Sequence, residues 1–282
     1  MNTKMKLAVA ALAMVAAGQA SAALLDGNNA AGGSLILNVW DDVAKVSYTK
    51  DLGFTLNTFL PSNVTTLAAD GGATGNKTPS TGLTSVFAGD SLFTTTFASS
   101  SAANLKWNVV AMDGATGGVA GVSRVATTIN GAAPTMNNNG TFNAGAAYNS
   151  MITPLNASWG CGAATSCAVN DSTVLGYANK NFGDTLNGTL TGGVGSSGNV
   201  GDSLSFWYMT RTVGSGSGLT AANKTQYKNA AGNATWTLAA NGTLTYSLAA
   251  EPVSNVPVPG AALLLGSGLL GLVGVSRRKN RA

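Results

Sequence analysis

Regular alternation of apolar and polar residues in segment 235–248 constrains the fold more than any other feature of the sequence. The segment reads TWTLAANGTLTYSL, and a period of two indicates strands that bury one face. Asn241-Gly242 first suggests a hairpin with a two-residue turn. That register would place Leu238 opposite Thr245, which pairs an apolar side chain with a polar one.

A hairpin loop of three residues, 240–242, removes this mismatch. It pairs Leu238 with Leu244 and Trp236 with Tyr246, and directly opposite side chains share one face of a sheet. Burial therefore selects the longer loop. The predicted hairpin has an apolar face made of Trp236, Leu238, Leu244, Tyr246 and Leu248, and a polar face made of Thr235, Thr237, Thr243, Thr245 and Ser247.

Further short runs of β-branched and aromatic residues are separated by turn residues. This pattern predicts an all-β ectodomain over residues 23–254, an antiparallel β-sandwich or jelly roll built as one large or two small domains. A β-solenoid is the alternative, but the sequence has no fixed short period. The runs are Leu35–Trp40, Val43–Tyr48, Leu92–Phe97, Leu105–Val110, Val122–Ile129 and Leu204–Met209.

Charged side chains are scarce in this chain. They make up 9% of the residues, against about 25% in an average soluble protein. Six of the fifteen lysines and arginines lie near the two termini, so the central part has nine cations against eleven acids. It offers no basic face, and we expect no nucleic-acid partner.

The N-terminus has the three parts of a secretory signal peptide. Lys4 and Lys6 precede the apolar run Leu7–Gly18, and small residues follow at Ala20 and Ala22. We expect cleavage after Ala22, which defines residues 1–22 as the signal segment and a signal helix. An amphipathic N-terminal helix is the alternative, but no polar stripe interrupts the run.

The C-terminus, residues 255–282, also has three parts. Pro257 and Pro259 keep the chain extended, Ala261–Val275 is an apolar stretch, and Arg277, Arg278 and Lys279 form a basic end. Fifteen helical residues reach only about 22 Å, whereas the apolar core of a bilayer measures about 30 Å. We expect a short hydrophobic helix whose basic end stays in the cytoplasm.

This tail resembles the PEP-CTERM sorting signals of Gram-negative bacteria, in the variant that begins with a Val-Pro-Leu-Pro-Ala motif. The matching residues are Val256, Pro257, Val258 and Pro259, the run Leu264–Leu272, and Arg277, Arg278 and Lys279. The resemblance implies processing by an exosortase, a membrane enzyme found in cells that produce exopolysaccharide. Gly260 stands where the variant has alanine, so we assign no cleavage bond. An ordinary single-pass anchor is the alternative.

Cys161 and Cys167 are the two cysteines of the chain. Disulfides persist in exported proteins, a metal site would need further ligands, and redox pairs more often have two intervening residues. We expect a structural disulfide, which stabilises the fold by about 2 kcal/mol in the chain-entropy model.

Histidine is absent, and Glu251 is the one glutamate. Without histidine no Ser-His-Asp triad can form, and glycoside hydrolysis would need two aspartates across a cleft. Asp41 and Asp42 are adjacent, which suits a turn better than a catalytic pair. A calcium loop here or at residues 26–29 is an alternative, although neither place has a recognisable ligand spacing. We expect no catalytic residues, no resident metal and no cofactor.

The tryptophans could stack on sugar rings or pack in a core. Trp207 and Trp236 lie within predicted strands, which favours core packing. Trp159, beside Gly160-Cys161, is expected in a loop and is the best candidate for a glycan contact. Trp40 and Trp107 are the other two tryptophans.

Together these features predict an exported, non-enzymatic protein of the cell surface or extracellular matrix. Its expected partners are the secretion machinery, an exosortase and, transiently, the inner membrane, with exopolysaccharide as a candidate ligand. A carbohydrate-binding adhesin module is the first alternative. An extracellular hydrolase is the second, and the missing histidine speaks against it.

Overall fold

The computed structural model describes residues 23–61, 83–113, 123–211 and 218–249. The predicted signal segment and the predicted sorting tail lie outside these ranges. The described residues confirm the all-β, antiparallel fold class. Their strands are β1 (Ser34–Asp41), β2 (Val46–Thr55), β3 (Leu83–Phe87), β4 (Leu105–Met112), β5 (Arg124–Ile129), β6 (Ser166–Val169), β7 (Gly198–Asn199), β8 (Ser203–Thr210), β9 (Asn223–Gln226), β10 (Lys228–Asn229), β11 (Gly232–Asn233), β12 (Thr235–Leu238) and β13 (Leu244–Leu248).

Eleven of the described strands form one curled antiparallel sheet. The order is β3-β13-β12-β8-β5-β4-β1-β2-β6, with β7 beside β4 and β9 beside β8. Strands β10 and β11 form a separate two-stranded ribbon. The helices are α1 (Ser91–Thr96), α2 (Asn138–Ser158) and α3 (Ala178–Asn181), and short 3-10 turns span Leu56–Thr58, Ala102–Asn104 and Gly183–Thr185.

The inner face of the curled sheet is filled with aromatic rings. Phe59 lies at the centre of this cluster, with its ring centroid 5.2 Å from Tyr246 and 5.9 Å from both Tyr227 and Trp236. All of these side chains are buried. Aromatic contacts at 4.5–7 Å contribute about 0.5–1.5 kcal/mol each beyond the area that they bury.

The outer face of the sheet is covered in part by α2. Ala144, Tyr148, Met151, Ile152 and Leu155 are buried against it, and their spacing of three and four residues places them on one side of a helix. The side-chain oxygen of Asn137 caps the helix by accepting the N–H of Gly140 at 2.8 Å. No helix in the described ranges has both the length and the hydropathy needed for a membrane span.

Residues Leu92–Phe97, expected as a strand, instead form α1, so that prediction is wrong. Asp90 supplies the helix cap, since its carboxylate accepts the N–H of Phe93 at 2.9 Å. Phe93 and Phe97 lie one helical turn apart, and their ring centroids are 5.0 Å from each other. A strand would send these two rings to the same face as well, but the capping aspartate decides for the helix.

Helix α1 lies where the two edges of the curled sheet come together. It follows edge strand β3 and contacts β2 and β6 at the opposite edge. Lys50 on β2 donates to the carbonyl of Ala88 at 2.7 Å, and the hydroxyl of Tyr48 donates to Asp90 at 2.6 Å. Side-chain hydrogen bonds thus join edges that share no backbone ladder among the described strands.

A row of polar side chains crosses the covered part of the outer face. The Thr49 hydroxyl donates to the Asn38 amide oxygen at 2.9 Å, and the Asn38 amide donates to Asn108 at 3.2 Å. Asn108 then donates to Ser196 at 3.3 Å. All four side chains are buried, and their mutual hydrogen bonds offset the cost of removing them from water.

Burial patterns separate the strands into two classes. Every residue of β1 and β5 is buried, because these strands have a core on both faces. In β12 and β13, buried residues alternate with partly exposed or exposed ones. Burial along the whole strand is typical of strands covered on both faces, and alternating burial is typical of strands covered on one face.

The predicted register of the last hairpin is confirmed. Trp236 pairs with Tyr246, and Leu238 pairs with Leu244. Gly242 has a φ of 80°, in the left-handed region that favours glycine. Its N–H donates to the carbonyl of Ala239 at 2.9 Å, which closes the three-residue loop.

We predict that Gly242→Ala destabilises the protein more than Gly193→Ala. Both glycines have positive φ, 80° and 75°, so both alanines incur about 1 kcal/mol of backbone strain. An added Cβ at Gly242 would also lie 2.6 Å from the buried ring of Phe93, whereas nothing lies within 4 Å at Gly193. We expect Gly242→Ala to lower the free energy of unfolding by about 1–3 kcal/mol more than Gly193→Ala does, as measured by urea unfolding. Equal losses for the two variants would contradict the turn geometry.

Candidate functional site

The outward side chains of β3, β13, β12 and the first part of β8 are exposed or partly exposed, and we call this part of the outer face the hydroxyl face. Its side chains form two rows that follow the strand registers. One row runs Thr84, Ser247, Thr235, Ser205, and the other runs Val86, Thr245, Thr237, Ser203. Each member is exposed or partly exposed.

The spacing of these rows follows from sheet geometry. Neighbouring strands lie about 4.8 Å apart, and alternate residues of one strand lie about 6.7 Å apart. A row across four strands is therefore roughly 14 Å long. Val86 is the one apolar member and is 45% exposed. No member of either row carries a charge.

Six hydroxyl groups of this face have no hydrogen-bond partner among the described residues: those of Thr84, Ser203, Thr235, Thr237, Thr245 and Ser247. Hydroxyl groups on the helices behave differently. Ser150 and Thr153 on α2 donate to backbone carbonyls four residues earlier, at 2.9 and 3.0 Å. On a strand the carbonyl four residues earlier is out of reach, so these six hydroxyl groups stay available to an external partner.

Trp207 lies at the border between the covered part of the outer face and the hydroxyl face. It follows Ser203 and Ser205 on the same side of β8, and its partly buried indole packs against the core beneath α2. The indole N–H donates to the Ser205 hydroxyl at 3.1 Å, and that hydroxyl donates to the carbonyl of Ile129 at 3.0 Å. An aromatic surface thus continues one line of hydroxyl side chains.

A buried ion pair joins the ends of β4 and β5. The Nε of Arg124 contacts the carboxylate of Asp113, and both side chains are fully buried. The Arg124 guanidinium also donates to Asn57 at 2.7 Å, which ties the 3-10 turn Leu56–Thr58 to this hairpin. Gly32 leaves room for the pair, since an added Cβ would lie 2.9 Å from the Asp113 carboxylate.

Burial decides the titration of this aspartate. Removal from water raises the pKa of Asp113 to about 6, although the neighbouring Arg124 guanidinium acts in the opposite direction.

Asp90, the cap of α1 between the two edges of the sheet, titrates differently. Burial alone would also raise the pKa of Asp90. Hydrogen bonds from the Tyr48 hydroxyl and the Phe93 N–H instead hold that pKa below its usual value.

The cysteine prediction is confirmed, since Cys161 and Cys167 form a disulfide. Both are buried in the core beneath α2. Trp159, expected in a loop, is the C-cap residue of α2 and packs, partly buried, against the same core. Its ring borders Gly176, where an added Cβ would lie 3.4 Å away.

The acidic segments considered as calcium loops form turns. Asp41 ends β1, and its carboxylate accepts the N–H groups of Val43 and Ala44 at 2.7 and 3.0 Å. Asp42 accepts the Asn179 amide at 2.6 Å. In the segment 26–29, the Asp26 carboxylate accepts the N–H of Asn28 at 3.1 Å. Within the described ranges, no three His, Cys, Asp or Glu residues gather as a metal site would require.

The segment that directly follows the predicted signal cleavage is held by α2. The Asn156 amide accepts the N–H of Leu24 at 3.0 Å and donates to its carbonyl at 2.8 Å. Leu24 is buried in the core beneath α2. The predicted cleavage residues Ala20 and Ala22 lie outside the described residues. So do the sorting residues Val256, Pro257, Val258, Pro259, Arg277, Arg278 and Lys279.

Comparisons with known proteins find no match for this chain: no family model, no curated protein and no solved structure is similar to it. The disulfide and the β12–β13 part of the hydroxyl face were predictable from the sequence. The Asp113–Arg124 pair and the contributions of β3 and β8 to the hydroxyl face were not predicted. Asp113 and Arg124 flank a Gly-rich stretch of the sequence. This placement of an acid and a base was the available signal for the ion pair.

We predict that Asp113 makes the protein less stable as the pH rises from about 4 to about 6. The folded state binds this proton more tightly than the unfolded chain, because the pKa is about 6 when folded and 3.8 as the ordinary value. Folding is therefore favoured by protonation in this window. Urea unfolding across this range should show a pH dependence of stability that is less negative in Asp113→Asn than in the unaltered chain, because the contribution of this group is lost.

Asp202→Asn is the control for the loss of one carboxylate, because Asp202 is partly exposed and lies outside the ion pair. The same pH dependence of stability in Asp113→Asn and in the unaltered chain would contradict this assignment.

Proposed function

We propose that this chain is a non-enzymatic protein of the cell surface or extracellular matrix of an exopolysaccharide-producing Gram-negative bacterium. It is exported by the secretory route, held briefly by its C-terminal helix, processed by an exosortase and then attached or released outside the cell. The observation that carries the proposal is the uncharged hydroxyl face, which suits a hydrated and weakly charged polymer environment. The Cys161–Cys167 disulfide supports the proposal, because disulfides persist in oxidising compartments.

The use of acidic side chains supports a non-enzymatic role. Asp41 holds a turn, Asp90 caps α1, and Asp113 pairs with Arg124. Each of these three carboxylates has a structural partner. Glycoside hydrolysis needs two carboxyl groups that face one bond.

We expect the sorting tail to be absent from the mature protein. An epitope tag placed after Ala282 should be lost in a host that contains the exosortase, and the protein should migrate faster than in a host without it. The N-terminus of the mature chain should be Ala23. Immunoblots of cell fractions and N-terminal sequencing measure both changes.

Matched variants sharpen this test. Replacing Pro257 and Pro259 with alanine should retain the tag even in the host with the enzyme, whereas Asn255→Ala should not. Full-length tagged protein of equal size and location in both hosts would contradict the proposal. The chain would then be a protein with an ordinary membrane anchor.

A further inference from the structure

We infer that the hydroxyl face binds an uncharged polysaccharide along its two rows. This inference rests on the proposed function and names the partner. The first observation is the set of six hydroxyl groups without a partner among the described residues. Each can donate one hydrogen bond and accept two, which is the same capacity that a sugar hydroxyl has.

Charge selects the class of ligand. Neither row contains a lysine, arginine, aspartate or glutamate. An anionic polymer would lose water from its carboxylates or sulfates without gaining a cation in return, which is unfavourable. A neutral glycan exchanges hydrogen bonds with water for hydrogen bonds with hydroxyl groups, so the net change is favourable by a modest amount per bond.

The geometry suits a repeating ligand. Hydroxyl groups recur about every 4.8 Å along a row, a distance comparable to the length of one sugar unit. A row of roughly 14 Å thus accommodates about three sugar units. Neighbouring strands are rotated by about 20°, which a flexible chain of sugars can follow.

Trp207 adds an aromatic surface at the border of the face. Its indole is partly exposed, and its N–H is occupied by Ser205, so the ring has a fixed orientation. The C–H faces of sugar rings stack on such surfaces, while hydroxyl groups at the ring edges bond to the neighbouring side chains. The combination of ring and hydroxyl rows favours a glycan over water alone.

A second copy of the chain is a less favourable occupant. Stable protein interfaces have an apolar core with large anchoring side chains, and Val86 is the one apolar member of the two rows. Two hydroxyl faces would gain the same modest amount per hydrogen bond but would bury little apolar area against each other. The chemistry therefore favours the polysaccharide.

Affinity electrophoresis of the full chain in non-ionic detergent tests the inference. The gels contain a neutral β-glucan, dextran or amylose, and a matching gel contains the anionic polymer alginate. We expect retardation by at least one neutral polymer, little affected by added salt, and no comparable retardation by alginate. Failure of all neutral polymers, or retardation by alginate that salt abolishes, would overturn the inference.

The variant Thr237→Val with Thr245→Val removes two facing hydroxyl groups while it keeps the β-branched shape. It should weaken neutral-polymer binding by about thirtyfold, because two hydrogen bonds of about 1 kcal/mol each are lost. Ser247→Arg, at an exposed position of the other row, blocks the face by bulk and should weaken binding as well. Unchanged binding in both variants would overturn the inference.

Two controls locate the binding surface. Thr153→Val removes an exposed hydroxyl group on α2 and should bind like the unaltered chain. Trp159→Ala should do the same, and loss of binding in this variant alone would place the glycan at α2 and overturn the inference. If the full chain forms dimers that the variant with both Thr237→Val and Thr245→Val does not form, the face binds a second copy of the chain, and the inference is overturned. A retained sorting tail contradicts the proposed function but does not change the electrophoresis result.

Discussion

Packing around Phe59 is the interaction on which the rest of the structure depends. This residue follows the 3-10 turn after β2, near one edge of the curled sheet, and its ring contacts rings from β8, β12 and β13. The hydroxyl of Tyr227 also donates to the Phe59 carbonyl. These contacts bring distant parts of the sheet around one aromatic core and so set its curvature.

Curvature has different consequences for the two faces. The inner face is filled by its own rings, whereas the outer face needs a separate cover for its apolar residues. Helix α2 contacts β4, β5 and β8, where the outer face carries apolar residues such as Val110, Val125 and Met209. In β12 and β13 the outward residues are threonine and serine, which tolerate water. The outward side chains of the hydroxyl face are stable in contact with water and need no apolar cover. This is the surface that our proposal assigns to the polysaccharide.

The features that could be predicted from the sequence are those determined by interactions between residues close together in the chain. Alternation in 235–248 is local, and it was enough to predict the pairing of Trp236 with Tyr246. Helix α2 was missed because its glycines, asparagines and Pro154 are poor helix formers. The spacing of Tyr148, Ile152 and Leu155 was the available signal, but burial against the sheet is what stabilises the helix. The extent of the hydroxyl face depends on which strands are neighbours, and that order is set by long-range packing.

The most direct measurement of this account is the unfolding of Phe59→Ala in urea, followed by near-UV and far-UV circular dichroism. We predict a single transition in both signals and a loss of about 3–5 kcal/mol in the free energy of unfolding, because ring packing and sheet structure form one cooperative unit. A near-normal midpoint would contradict it. So would a sheet signal that persists after the aromatic signal is lost, since the sheet would then hold its curvature without the Phe59 cluster.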